Sequence, residues 1–296
     1  MAAPDPQLLF DAAVVLATSA IYFGVGRLMA RRPVHSREAT FATRMFALWW
    51  LALSGATAVG GLQTLLFALD ARNVPLEIAL TYLGALLLPV ALLGLLYYLL
   101  YIYLGKEWIL WPLSALYAGI LVFFFYAVAK MNPTGIERRG WTAGMGYANT
   151  LTPLEMTLAL AALLAPILLA AIAYGSLYFR VTDRTRRFRI ALVSMAFLGW
   201  FGSAAVGSIA GLGEVVLWPL VSRMIGLAAT SLILLAYRPP RWLRERFAIQ
   251  GLENGGDGHP QGLSAGQPRK TLLPLAAYSW GAAAGPYSRT SSKRTV

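Results

Sequence analysis

Arg223 is the residue best placed to do chemistry in this chain of 296 residues. It sits inside VVLWPLVSRMIGLAATSLILLAY (215–237), a stretch with no other charge. Counted from Glu214 at 1.5 Å per residue, it lies about 14 Å along a helix, near the middle of a hydrocarbon core. An arginine there costs at least ~2.5 kcal/mol to insert, so it must face the protein and find partners. Two arrangements satisfy it. In one, the guanidinium bonds backbone carbonyls freed by a kink at Pro219, four residues earlier on the same face, and reaches toward Asp11 or Glu214. In the other, it anchors a small anionic or lipid ligand in a pocket open to the outer half, with Gln63, Tyr82, Trp218 and Asp11 beside it. The acids Asp11, Glu77, Glu155 and Glu214 are expected near outer helix ends, none at the depth of Arg223, with Asp11 the deepest.

Other chemistry is scarce. There is no cysteine, so disulfides and thiolate catalysis are excluded. The only histidines are His35 and His259, and the only lysines are Lys106, Lys130, Lys270 and Lys293, none in an apolar stretch. A retinal Schiff base therefore has no lysine inside the membrane. No Ser/His/Asp set, acid pair, metal-ligand cluster or phosphate loop appears, so no catalytic residues, metal or cofactor are expected.

The elements that must hold Arg223 follow from hydropathy. Hydrophobic residues make up 58% of the chain and charged residues 13%, about half the share usual in soluble domains. The charges cluster, leaving apolar runs long enough to cross a bilayer. Seven spans are predicted, at about 8–29, 41–69, 76–104, 108–129, 153–179, 189–212 and 214–237. The fold class is thus all-α, an integral membrane bundle of seven transmembrane helices over residues 1–250, with a flexible tail over 251–296. The basic residues flank alternate pairs of spans. One side holds Arg27, Arg31, Arg32, Arg37, Arg44, Lys106, Arg180, Arg184, Arg186, Arg187, Arg189, Arg238, Arg241, Arg244 and Arg246. The other holds Arg72, Lys130, Arg138 and Arg139. This bias places the N-terminus outside and the C-terminus in the cytoplasm, in the inner (plasma) membrane. The net charge of +12 is accordingly a topology signal, and no nucleic-acid partner is expected.

The connection 130–152 is rich in Gly, Pro and Asn and reads as turn and loop. Its Trp141 and Tyr147 are placed at headgroup level or over the helix ends. Pro89, Pro166 and Pro219 lie inside predicted spans and would kink them. Ser203, Gly207 and Gly211, spaced by four, allow another helix to approach closely, either within the bundle or across a homodimer seam. The stretch YRPPRWLRERF (237–247) reads as a basic juxtamembrane stub lying on anionic headgroups.

Four segments resemble the seven-helix N-terminal sensor region of bacterial histidine kinases and related signalling proteins: RMFALWWLAL (44–53), TYLGALLLPVALL (81–93), RTRRFRIAL (184–192) and PPRWLRERF (239–247). The resemblance implies a receptor-like sensor. Its departure is the lack of a phosphoacceptor histidine and ATP lobe after the seventh span, so signalling would pass through a cytoplasmic partner. Pro219, Arg241, Trp242 and Arg244 are the expected coupling residues. A small-solute transporter and a non-catalytic subunit of a larger membrane complex are the alternatives.

Overall fold

The computed structural model describes residues 4–31, 37–105, 107–210 and 217–243, with the side chains of 37, 38, 107 and 207–210 left aside. The tail and Arg244, Gly211 and Glu214 lie outside the described residues. Seven helices long and apolar enough to cross a membrane occur among them. They are α1 (Pro6–Ala30), α2 (Arg37–Ala68), α3 (Val74–Leu104), α4 (Leu110–Met131), α5 (Pro153–Arg180), α6 (Arg184–Ala210) and α7 (Trp218–Tyr237). The architecture is that of a multi-pass membrane protein.

Local sequence sets the helix starts. Asp5 caps α1 by accepting from the Gln7 and Leu8 amides, and Asn73 caps α3 through Leu76. Thr152 and Glu155 form a reciprocal capping box on α5. Each of these helices has a proline in its first turn, where a missing N–H costs nothing. Gly105 ends α3 with φ 62°, a conformation that disfavours side chains with a Cβ.

The helices pack as a ring. α1 lies against α2 and α7, α2 against α3, α3 against α5, α5 against α6 and α6 against α7, while α4 sits outside on α3. The middle of the ring is filled by aromatic side chains. Phe46, Trp49 and Trp50 of α2 meet Tyr22 of α1 and Phe197 and Trp200 of α6. Their centroid distances include 5.3 Å for Trp49–Phe197 and 5.5 Å for Trp50–Trp200, within the range where ring quadrupoles attract.

Lipid tails are as apolar as leucine, so helix association rests on close packing and hydrogen bonds. Two seams use the same device. Ser19 and Ser54 each donate to the other's backbone carbonyl at 2.9 Å, joining α1 to α2. Ser203 and Ser222 do so at 2.7 Å, joining α6 to α7. Ser203 thus serves packing within the bundle. At Gly94 a Cβ would lie 2.5 Å from the Met45 carbonyl oxygen, so only glycine lets α3 approach α2 there.

Two expectations need correction. The connection after α4 holds an antiparallel hairpin, β1 (Pro133–Arg139) and β2 (Thr142–Tyr147), rather than a loop. Its two-residue turn, Gly140–Trp141, starts with glycine at φ 63°, which matches the right-handed twist of the strands. Ile136, Ala143 and Met145 from its apolar face pack on Leu8 of α1 and Ala68 of α2. Secondly, Pro219 does not kink a span. It stands in the first turn of α7, where no intrahelical bond is lost.

Candidate functional site

The hairpin lies over the end of the bundle where α1, α3, α5 and α7 begin, and polar ties hold it there. Arg138 pairs with Asp5 and donates to Gln7 Oε1 at 2.8 Å. The Ile136 amide donates to Glu77 Oε2 at 2.9 Å, and Glu77 is 1% exposed. Beside the hairpin, Lys130 at the end of α4 pairs with Glu155 at the start of α5 at 2.8 Å.

Arg223 provides the third tie. Its Nη1 donates to Asp11 of α1, forming an ion pair, and its Nη2 donates to the Ala143 carbonyl of β2 at 3.0 Å. Asp11 is fully buried, whereas the Arg223 side chain keeps 27% exposure. The expectation that no carboxylate matches the depth of Arg223 is therefore wrong. The error came from the helix start. α7 begins at Trp218, so Arg223 is about 7.5 Å along it. Asp11 is equally far along α1, which begins at Pro6 and runs parallel. The carbonyl that Arg223 bonds belongs to Ala143, not to residues released by Pro219.

Below this pair, an open-sided cavity of about 240 Å³ lies between α1, α2 and α7. Its walls are Val14, Val15, Thr18 and Tyr22 of α1, Thr57 and Gly60 of α2, and Arg223 and Gly226 of α7. Thr18 and Thr57 spend their hydroxyl protons on the Val14 and Leu53 carbonyls of their own helices. At the far end Trp200 Nε1 donates to Thr230 Oγ1 at 3.2 Å, and Thr230 lies 3.0 Å from the Tyr22 hydroxyl. The cavity is therefore apolar along its length, with a guanidinium at one end and engaged hydroxyls at the other.

The remaining expected residues are elsewhere. Gln63 donates to the Glu77 carbonyl at 2.8 Å and to Thr81 at 3.0 Å, bracing α2 against α3. Tyr82 stacks on Phe125 of α4 at 5.8 Å. Trp218 is exposed at the start of α7. None of the three lines the cavity. Arg241 and Trp242 lie exposed in a short helical turn after Pro239–Pro240.

Sequence reasoning missed Ala143, Tyr22, Gly60 and Thr230. Single glycines, tyrosines and threonines are common in apolar spans and carry no signal of their own, and Ala143 acts through its backbone. The hairpin did leave a trace: a glycine between two short runs, IERR and TAGMGY, is a two-residue turn signal. No group of three or more metal-ligating side chains occurs among the described residues. No family model, curated protein or solved structure matches the chain.

Proposed function

We propose that the protein is a receptor-like membrane sensor, with the N-terminus outside and the C-terminus in the cytoplasm. A small anionic or lipid ligand would enter the cavity between α1, α2 and α7 and take up the hydrogen-bond donors that Arg223 has left. One observation carries this reading: Arg223 is shared between Asp11, Ala143 and the cavity wall. A ligand head on the same guanidinium alters how α7 is held against α1 and the hairpin.

The path to the other face runs down α7. Thr230 links it to Tyr22 and Trp200, and Ile233, Ala236 and Tyr237 are packed in the aromatic core. Beyond Tyr237, Arg241, Trp242 and Arg244 would meet the headgroups or a cytoplasmic partner. A ligand drives such a shift only by binding one arrangement more tightly than the other. The resemblance to kinase sensor regions and the basic bias of one face support the same orientation and role.

The test is native mass spectrometry of the full chain extracted gently from its own membranes. The expected result is a retained small anion or lipid that is lost in Arg223→Gln. A bare protein held in fixed stoichiometry with other membrane subunits would overturn the sensor reading and make Arg223 structural.

A further inference from the structure

The cavity's shape and charge say more about its occupant. Its α1 wall runs from Val14 to Tyr22, eight residues or about 12 Å. That is far longer than a small anion, and a volume of about 240 Å³ is below the roughly 300–1,000 Å³ of drug-sized pockets. Such a space takes one extended chain. Charge is confined to one end, where Arg223 is the only charged residue on the wall. A guanidinium has five N–H donors. One bond goes to Asp11 and one to Ala143, which leaves donors for a ligand.

The charge of that end is already balanced. Asp11, fully buried, offsets Arg223. A second carboxylate beside them would be repelled by Asp11 as well as attracted by Arg223, and would lose its own hydration. A neutral carbonyl meets no such repulsion and still accepts the spare N–H groups.

We infer that the cavity binds a single-chain lipid with an uncharged carbonyl head, the head at Arg223 and the tail running along α1 toward Tyr22. This rests on the ligand reading above and narrows it to one chemical class.

The experiment uses the full chain in lipid nanodiscs and methyl esters of saturated acids from octanoate to hexadecanoate. A terminally brominated dodecanoate ester reports the tail, because Trp50 and Trp200 flank Tyr22 at 5.8 and 5.7 Å and bromine quenches their fluorescence. Saturable quenching is expected. Measured against the mole fraction of ester in the bilayer, whose tails are as apolar as the cavity wall, affinity should be greatest for the chain that matches the wall's length of about 12 Å and fall for longer ones. Gly60→Leu should abolish binding while the protein stays folded, because a Cβ at Gly60 meets nothing within 4 Å and the larger side chain fills the cavity.

Equal quenching in Gly60→Leu would mean partition into the bilayer alone and would overturn the inference. Tighter binding of ionised dodecanoate than of its ester would also overturn it, as would acetate competing with no dependence on chain length. In both of those cases the broader ligand reading would stand. If neither ester nor carboxylate binds saturably, and native spectra of the membrane-extracted protein show no retained ligand, both fail together.

Discussion

Arg223→Met should destabilise the protein more than Asp11→Asn, although both break the same ion pair. The asymmetry follows from burial. Removing Arg223 leaves a carboxylate that is 0% exposed without its counter-ion, and an orphaned buried charge costs roughly 3–5 kcal/mol. The low end applies, because the Arg223 side chain keeps 27% exposure and some water reaches the site. About 3 kcal/mol is about 150-fold in the unfolding equilibrium. Removing the Asp11 charge instead leaves a long cation that can reach solvent, and asparagine still offers an acceptor. The loss is then near that of one charge-assisted bond, about 1.5–3 kcal/mol. The double variant Asp11→Asn/Arg223→Met buries no charge and should be more stable than Arg223→Met alone. Reversible unfolding of the four proteins in mixed micelles gives the coupling energy directly. Arg138→Ala serves as the exposed control. It breaks a pair whose arginine is 49% exposed, so it should cost at most about 1 kcal/mol. Additive single effects, or an Arg223→Met cost below that of Arg138→Ala, would refute a buried pair at the end of the cavity.

Gly94→Leu should fail to fold or lose well over 1–3 kcal/mol, the usual range for overpacking, because the obstacle is the Met45 carbonyl rather than a movable side chain; yield and monodispersity from membranes read this out. Pro219→Ala should change stability by under about 0.5 kcal/mol, since a first-turn proline removes no helix bond; a large loss in micelle unfolding would restore the kink. The chain has no cysteine, so single cysteines report sidedness without background. Thr134→Cys on the hairpin should react with an impermeant maleimide added outside intact cells, and Thr182→Cys between α5 and α6 only after lysis; the reverse pattern would invert the topology.

The bundle was legible in the sequence because each span is a long run that answers to one rule, the thickness of the hydrocarbon. Predicted and observed ends agree within a few residues for α1 to α5. The disagreement at α7 was small in residues and large in consequence. Taking Glu214 as the boundary put Arg223 at mid-membrane, where no acid could meet it. From Trp218 it stands level with Asp11. The hairpin was hidden for another reason. Its glycines and its exposed Glu137, Arg138 and Arg139 have loop composition, and what makes it a strand pair is docking onto Leu8 and Ala68, a tertiary contact. Gln63 and Tyr82 were chosen as polar groups within apolar helices. Such groups more often serve contact with a neighbouring helix: Gln63 donates to Thr81 of α3, and Tyr82 lays its ring on Phe125 of α4.

Charge is arranged differently at the two ends of the bundle, and this bears on how a signal could cross it. At the hairpin end four acids stand in the first turns of helices or close to them, where the helix dipole favours them, and each of the four meets a donor: Asp5 with Arg138, Asp11 with Arg223, Glu77 with the Ile136 amide, Glu155 with Lys130. That end is close to neutral and cross-tied. At the other end Arg180, Arg184, Arg187 and Arg241 face few acids, and the pair between Arg186 and Asp183 is largely exposed. Arg187 lies over the Tyr178 ring at 4.4 Å, and a net positive rim of this kind would be drawn to anionic headgroups at about 1 kcal/mol per basic residue. On the sensor reading proposed above, a ligand at Arg223 would act on the ties that join α7 to α1 and the hairpin. The rim would then move over the headgroups without losing that attraction, which does not depend on one fixed geometry.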